Sequence, residues 1–467
     1  MLFQVADSPA SAVSAARDDL AKLPSSSRAD FFYLSLYNIP ADDRAKLAAV
    51  LNGHCNSLSS QVDREPLAVV SQSLLRLNIR DYGWSLATMR KLADPRFTVT
   101  TEEVRVTTIE VPWAGGIWPD DGKFYQAGSF SVKTPKREVV RTSTATAPWL
   151  DTEAAAALVQ SCGYLPVVSG AWFLNQTAIQ EGRAVGYYDM LGITARASFE
   201  KLVRFSEPLA AQLEHRRAVV VSGITLQPRR IELTKSVMGT VFRTFDNASA
   251  TDERNPIRIL DTKTFKFDAT EQIAPLPNGL PAFLLADSKG VLQSKAPDQI
   301  VGGDKTGHGN DTRLHANLSC IRCHNRDKGE NFVKEIDWAK LARLKSVDYN
   351  TLRELKRQYT RDIQPEIEAA RVGFGRAIMS ITGMQPQEYA AAYAAAYSFV
   401  EDAKVDAAYA ARDMGLEAKE LVRRLKSYDF VQDLDAVASI IMNGGAVPVR
   451  QFEEVLPILH SAVRSVK

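Results

Sequence analysis

The sequence predicts a helix-dominated α+β fold, and three observations lead to that prediction. Of the 467 residues, 45% are hydrophobic and 24% are charged, as in soluble globular proteins with a large buried core. Apolar residues recur at helical spacing in the first 60 residues and through most of the chain after His324. Between these regions, apolar and polar residues alternate in short segments, which indicates strands. We therefore expect β-containing N-terminal and middle regions and a helical C-terminal third.

The N-terminal elements follow from the spacing of apolar residues. Helices are predicted over residues 8–23, over Arg28–Tyr37 and from Ala41 towards Cys55. The period then changes, since Leu75–Ile79 alternates with polar residues and predicts a half-buried strand.

The next elements lead into a segment of different composition. Trp84–Ala93 predicts a helix, and Val104–Val111 predicts an extended segment. Residues 112–150 are rich in glycine and proline and predict a loop or a hairpin insertion.

The middle region is predicted to mix helices and strands. Helices are expected over Thr152–Ser161 and Leu213–Ala218. Strands are expected over Val219–Leu226, Ile257–Phe267 and Ala282–Ala286.

The C-terminal third is predicted to be helical. Glu388–Tyr397 and Val405–Leu425 fit helical spacing, with a break at Gly415. The sequence predicts four regions. Residues 1–111 form an N-terminal region of helices and strands, and residues 112–150 form a loop or hairpin insertion. Residues 151–300 form a mixed middle region, and residues 301–467 form a helical region that carries the motif described below.

The charge balance argues against nucleic-acid binding. Lysine and arginine total 57 against 55 acidic residues, a net charge of +2, whereas nucleic-acid binding needs a concentrated basic face. The sequence has no apolar run of 18 residues, so we expect no transmembrane segment. Residues 1–20 lack the basic start and apolar centre of a signal peptide.

The strongest motif is Ser319-Cys320-Ile321-Arg322-Cys323-His324, a C-x-x-C-H sequence that is typical of c-type haem attachment. Two thiols at this spacing can add to the two vinyl groups of one haem. The adjacent His324 can then bind the iron as its proximal ligand. The motif predicts one covalent haem c, held by Cys320, Cys323 and His324.

Two other chemistries fit a C-x-x-C sequence. A zinc site would need two further ligands, and the remaining cysteines, Cys55 and Cys162, are isolated in the sequence. A thiol redox site would need a strand before the motif, where the sequence has a long polar stretch from Gly302.

Covalent haem also predicts the compartment. Attachment of this kind takes place outside the cytoplasm, so we expect a periplasmic or extracellular protein whose signal peptide is absent from this chain. In such a compartment Cys55 and Cys162 either form a disulfide or remain separate buried thiols, and their spacing does not decide between the two.

Several segments resemble a group of uncharacterised bacterial proteins that carry one c-type haem domain. The resemblance rests on Ser73–Trp84, Leu276–Leu285, Asp287–Gly290 and Ala296–Val301, which lead in the same order into an N-x-x-S-C-x-x-C-H segment that begins at Asn317. It covers about residues 28–430 and implies the haem and the general architecture, but no reaction.

The sequence departs from this group at Ala171-Trp172-Phe173, where the group has an acidic residue before Trp-Phe. Any role of that acid therefore does not carry over to this chain.

The function of the haem depends on the sixth iron ligand. A closed site predicts electron transfer with a redox partner protein, while an open site predicts a haem enzyme of peroxidase or oxidase type. A partner-binding protein with a structural haem is the third interpretation. The chain is larger than a simple one-haem carrier requires.

The candidate distal ligands are one methionine and two histidines. Met384 lies in a Gly/Pro turn well beyond the motif, free to approach the opposite face of the haem. Met379, on the preceding helix, is a weaker candidate. His308 and His315 lie just before Cys320, and their alternative is to be exposed loop residues. We favour Met384, whose alternative is packing between helices.

Overall fold

The chain is seen in a computed structural model, in which helical residues make up 51% and strand residues 20%. The helix-dominated α+β fold is therefore confirmed. The structure describes residues 9–112, 116–117, 123–128, 131–146, 153–205, 216–221, 228–247, 267–296, 313–324, 338–343, 347–358, 363–427, 432–449 and parts of 451–463.

The helices of the described residues are α1 (Pro9–Leu20), α2 (Ala41–Ser57), α3 (Leu86–Phe97), α4 (Glu153–Cys162), α5 (Gly170–Thr177), α6 (Tyr187–Met190), α7 (Arg196–Leu202), α8 (Leu318–His324), α9 (Trp338–Ala342), α10 (Tyr349–Gln358), α11 (Gln364–Thr382), α12 (Pro386–Asp402), α13 (Ala407–Asp413), α14 (Ala418–Lys426) and α15 (Gln432–Met442). The strands are β1 (Phe31–Ser35), β2 (Ala68–Ser71), β3 (Leu74–Asn78), β4 (Thr98–Pro112), β5 (Gly116–Ile117), β6 (Phe124–Tyr125), β7 (Ser131–Thr146), β8 (Val167–Ser169), β9 (Arg216–Val221), β10 (Pro228–Ser236), β11 (Gly239–Asp246), β12 (Ala269–Pro275), β13 (Pro281–Asp287), β14 (Lys404–Val405) and β15 (Val447–Pro448).

The first sheet has the strand order β2-β3-β1-β8, with β1 antiparallel to β3 and parallel to β8. The helix predicted over Arg28–Tyr37 is wrong, since a short 3-10 turn (Ser25–Asp30) leads directly into β1. Phe32, Tyr33 and Leu34 are all fully buried. A strand covered on both faces is continuously apolar, and its apolar residues then also satisfy helical spacing.

The second sheet is antiparallel, in the order β13-β12-β11-β10-β9. The helix predicted over Leu213–Ala218 is wrong where the structure describes it, because Arg216–Val221 is the edge strand β9. Its three consecutive valines favour extended chain. Since side chains alternate along a strand, Arg229, Asp246, Glu271 and Phe283 share one face of this sheet.

The segment predicted as a loop or hairpin insertion, residues 112–150, holds the second strand of a long hairpin whose first strand begins earlier, at Thr98. β4 pairs with β7 from Thr98↔Thr146 to Pro112↔Ser131, and a small pair, β5 and β6, lies near its tip. The extended segment predicted over Val104–Val111 is thereby confirmed.

Most of the other predicted elements are confirmed. The helices predicted over 8–23, from Ala41, over Trp84–Ala93 and over Thr152–Ser161 correspond to α1, α2, α3 and α4. The break predicted at Gly415 separates α13 from α14, and that glycine has a φ of 69°. The strand predicted over Ile257–Phe267 lies, apart from its last residue, outside the described part of the chain.

The motif lies where the C-terminal helices meet the rest of the protein. Helix α12 packs against α2, α5 and the motif helix α8. Most of the buried apolar side chains of the described residues belong to one cluster that extends from Ala12 to Val463. Among the described residues, no helix is both long enough and apolar enough to cross a membrane.

Candidate functional site

The three motif residues share one face of a short helix. Cys320, Cys323 and His324 lie on α8 at relative positions 0, 3 and 4, which brings them to the same side. Cys320 is buried, Cys323 is half-buried, and the side chain of His324 is 19% exposed. Cys320 is thus more enclosed than the two residues at the C-terminal end of the motif.

The start of this helix is fixed by Asn317, which has a left-handed backbone with a φ of 70°. Asparagine adopts this conformation more readily than most residues with a side chain. Its side-chain Nδ2 donates to the carbonyl of Ala178 at 3.1 Å and to the Tyr393 hydroxyl at 3.3 Å. Its backbone carbonyl accepts from the Ile321 N–H at 2.8 Å, the first helical bond. These bonds hold the backbone three residues before Cys320.

The Tyr393 hydroxyl belongs to a buried hydrogen-bond chain. The Thr177 hydroxyl donates its one proton to the Phe173 carbonyl at 2.7 Å, so it accepts from Nε2–H of His54 at 2.7 Å. Nδ1 of the neutral ring therefore accepts from the Tyr393 hydroxyl at 3.0 Å, which in turn accepts from Asn317. The chain connects the motif helix to α12, α2 and α5.

His54 is neutral in this chain. It is completely buried, and burial lowers its pKa to about 3. Each ring nitrogen has a hydrogen-bond partner that suits the neutral ring. His54 is therefore a residue of the buried core.

A carboxylate of the second sheet lies against the motif. Glu271, on β12, accepts from the Cys320 thiol at 3.8 Å, and its Oε1 lies 3.4 Å from Nε2 of His324. The ring of Phe283, on β13, stacks on the His324 ring with a centroid separation of 6.1 Å. The sheet thus presents one charged and one aromatic side chain to the motif.

Glu271 belongs to a buried ion cluster. Arg229 binds both oxygens of Asp246, at 2.7 and 2.9 Å, and reaches Glu271 with a longer contact of 3.3 Å. Thr244 donates to Asp246 at 3.2 Å. Arg229 therefore forms ion pairs with both carboxylates, and its contacts with Asp246 are the shorter ones.

The pKa values in the cluster reflect burial and charge. Burial acts to raise the pKa of Glu271, but the hydrogen bond and charge of His324 and the charge of Arg229 lower it to about 2. Burial raises the pKa of the Cys320 thiol well above its ordinary value, and the negative charge of Glu271 adds to this. The pKa of Asp246 is raised by burial, against the opposing charge of Arg229.

The residues of the motif fit a covalent haem in kind and in spacing. Cys320 and Cys323 are one helical turn apart, with two residues between them as in C-x-x-C. Their thiols and the imidazole of His324 lie on one face of the helix. Nε2 of His324 would exchange its contact with Glu271 for the iron, because a nitrogen that donates to a carboxylate cannot also bind a metal. The two thiols and the imidazole therefore suit a covalent haem, and Glu271 lies beside them.

The distal candidates fall in different places. Met384 is partly buried against the core between α11 and α12, and its N–H donates to the Thr382 hydroxyl at 3.0 Å. Met379 is 44% exposed. His315 is only 2% exposed, and its Nδ1 lies 3.9 Å from Glu181, so its interpretation as an exposed loop residue is wrong.

Other predicted residues are outside the described chain or away from the motif. His308 lies outside the described residues. Cys55 and Cys162 are free thiols in this structure, and Cys162 donates to the Arg28 carbonyl at 3.4 Å. Among the described residues, no three His, Cys, Asp or Glu side chains form a metal-binding group, so the two further ligands of a zinc site do not appear there.

Reasoning from the sequence missed Glu271, Arg229, Asn317 and the pair Tyr393–His54. The signal for Glu271 is an acidic residue in the middle of a short strand, a setting in which glutamate is less common than β-branched and aromatic residues. The signal for Asn317 is an asparagine directly before a short helix, a position that often needs a left-handed backbone. Neither signal identifies the partner of the residue.

Comparison with known proteins found no matching family model, no matching curated protein and no matching solved structure, so the assignment of a function depends on the motif and its surroundings.

Proposed function

We propose that this protein is an extracytoplasmic monohaem c-type cytochrome that transfers electrons. Haem c would be bound through Cys320 and Cys323, with His324 as the proximal iron ligand. The observation that supports this proposal is the C-x-x-C-H sequence on a single helix, with both thiols and the imidazole on one face. When bound, the haem supplies a one-electron couple.

The chain's own residues would hold and shield this group. The Asn317 bonds fix the start of the motif helix, and the Phe283 ring covers one side of the His324 imidazole. The polar chain through Tyr393 joins that helix to the helical core. A rigid site suits electron transfer, which requires little movement around the iron.

For the distal position we propose Met384. It lies in the turn before α12, the helix that packs against the motif helix, and Gly383 in that turn has a φ of 70°. His315 is less suited to bind the iron. It lies on the segment that leads into the motif, and its ring is buried beside Glu181. A thioether ligand would raise the reduction potential and suits a carrier that accepts electrons from other haem proteins.

The test is expression with a c-type maturation system. The wild-type chain should keep its haem after denaturation and extraction with acidic organic solvent, and Cys320→Ser with Cys323→Ser should lose it. Cys162→Ser, which changes a free thiol outside the motif, should retain it. Haem that extracts from the wild-type chain would contradict the proposal.

The spectrum then separates electron transfer from catalysis. A low-spin, six-coordinate iron in both oxidation states supports a carrier, whereas a high-spin ferric iron that responds to peroxide indicates an enzyme. Met384→Ala should convert the ferric haem to high spin and remove the weak near-infrared Fe–S band. An identical spectrum would exclude Met384 as the ligand.

A further inference from the structure

The geometry points to a role for Glu271 that rests on the proposed function: we propose that Glu271 is a positioning residue that places a fixed negative charge beside His324 and thereby stabilises the oxidised haem. It is the carboxylate that reaches the motif from the second sheet, and it contacts both Cys320 and His324.

The position of Glu271 is fixed independently of the motif. Its side chain is 14% exposed, and Arg229 holds its second oxygen at 3.3 Å. Its backbone pairs with Thr244 on β11 and with Leu285 on β13, so both neighbouring strands hold it in register. If His324 exchanges Glu271 for iron, the carboxylate therefore stays where it is.

The charge of Glu271 is only partly balanced. Among the described residues, the ion pairs of this cluster join one cation, Arg229, to two carboxylates, Asp246 and Glu271, which leaves one negative charge. Arg229 makes its two short contacts with Asp246 and its longer contact with Glu271. The excess charge is thus nearest to the oxygen that faces His324.

A buried negative charge acts differently on the two states of the iron. Ferric haem carries one positive charge more than ferrous haem, and the attraction is weakly screened where water is excluded. Glu271 therefore favours the ferric state and lowers the reduction potential. Replacing it with an uncharged side chain of the same shape should raise the potential.

The experiment is a spectroelectrochemical titration of the haem-bearing protein. Glu271→Gln should have a more positive reduction potential than the wild type, while Glu271→Asp, which keeps the charge, should stay close to it. Glu181→Gln is the matched control, because Glu181 also forms a cluster, with Arg313 and Lys295, beside the chain that leads into the motif. Its potential should equal that of the wild type.

A second variant covers the case in which Glu271→Gln does not fold. Asp246→Asn removes one negative charge from the same cluster without a contact to His324, and it should shift the potential in the same direction by less. Equal potentials in the wild type, Glu271→Gln and Asp246→Asn would refute the inference, as would a shift in Glu181→Gln as large as that in Glu271→Gln. A wild-type chain without covalent haem refutes the proposed function and this inference with it.

Discussion

Replacing His54 with glutamine should make the protein less sensitive to acid. In the native state this imidazole is buried and neutral, with its Nδ1 accepting from Tyr393 and its Nε2 donating to Thr177. Burial lowers its pKa from 6.5 to about 3. The unfolded chain binds a proton at its ordinary pKa, whereas the folded chain resists it until the pH is near 3. Acid therefore favours unfolding through this residue.

The size of the effect follows from the two pKa values. The contribution of His54 to stability is complete above pH 6.5 and is lost as the pH falls towards the folded pKa. Between pH 7 and pH 4.5 the loss amounts to roughly 2 to 3 kcal/mol, at about 1.4 kcal/mol per pH unit below the unfolded pKa. At pH 4.5 the histidine of the folded protein is still neutral. The expected loss of roughly 2 to 3 kcal/mol therefore does not depend on how far below pH 4.5 its folded-state pKa lies.

The assay is denaturant unfolding of the wild type and His54→Gln at pH 7 and pH 4.5. The glutamine amide can both donate and accept, but it does not titrate. All carboxylates are common to the two chains, so their effects cancel in the comparison. The wild type should lose roughly 2 to 3 kcal/mol more than the variant over this range. Equal losses would refute the reasoning, since they would mean that His54 is not held neutral.

Three further substitutions test the packing and the polar contacts. Gly53→Ala should destabilise the protein by about 1 to 3 kcal/mol in thermal unfolding, because its Cβ would lie within 2.7 Å of two ring atoms of Tyr389, while Gly373→Ala, with open space around it, should be neutral or stabilising. Arg229→Met should cost about 3 to 5 kcal/mol in denaturant unfolding, because two buried carboxylates lose their cation. Asn317→Ala should be less stable than Asn317→Gly by about 1 to 2 kcal/mol, because both lose the amide bonds but only alanine strains the left-handed backbone. Equal stabilities of Gly53→Ala and Gly373→Ala would contradict the packing argument, and equal stabilities of Asn317→Ala and Asn317→Gly would contradict the backbone argument. A wild-type stability of Arg229→Met would contradict the argument from the buried carboxylates.

The sequence predicted the fold well where one period dominated. Helix α2 and strand β3 have clear spacing, and the structure places them as expected. β1 was predicted as a helix because a strand that is buried on both faces has no polar face to give it a period of two. Helices α1 and α5, which contact β1, come from segments far apart in the chain, so local spacing alone could not reveal that the strand is covered.

The candidate site shows the same limit. The C-x-x-C-H residues are consecutive, so their spacing could be read directly from the chain. Glu271 precedes Cys320 by 49 residues and meets it only after β12 and α8 have packed. The partners of His54 come from two other helices, and its neutral state follows from that burial. Reactive groups of the motif were therefore predicted, while the groups that set their electrostatics were not.

The charge beside the motif depends on the register of a single strand. In β12, Glu271 lies between Thr270 and Gln272, so a shift of one residue would turn Glu271 to the opposite face of the sheet. The turn after β12 prevents this shift. Its Leu276 N–H donates to the Leu280 carbonyl at 2.7 Å, and Gly279 supplies a φ of 86° that a residue with a Cβ would resist. A Pro-Asn-Gly turn thus determines which side chain the motif histidine meets.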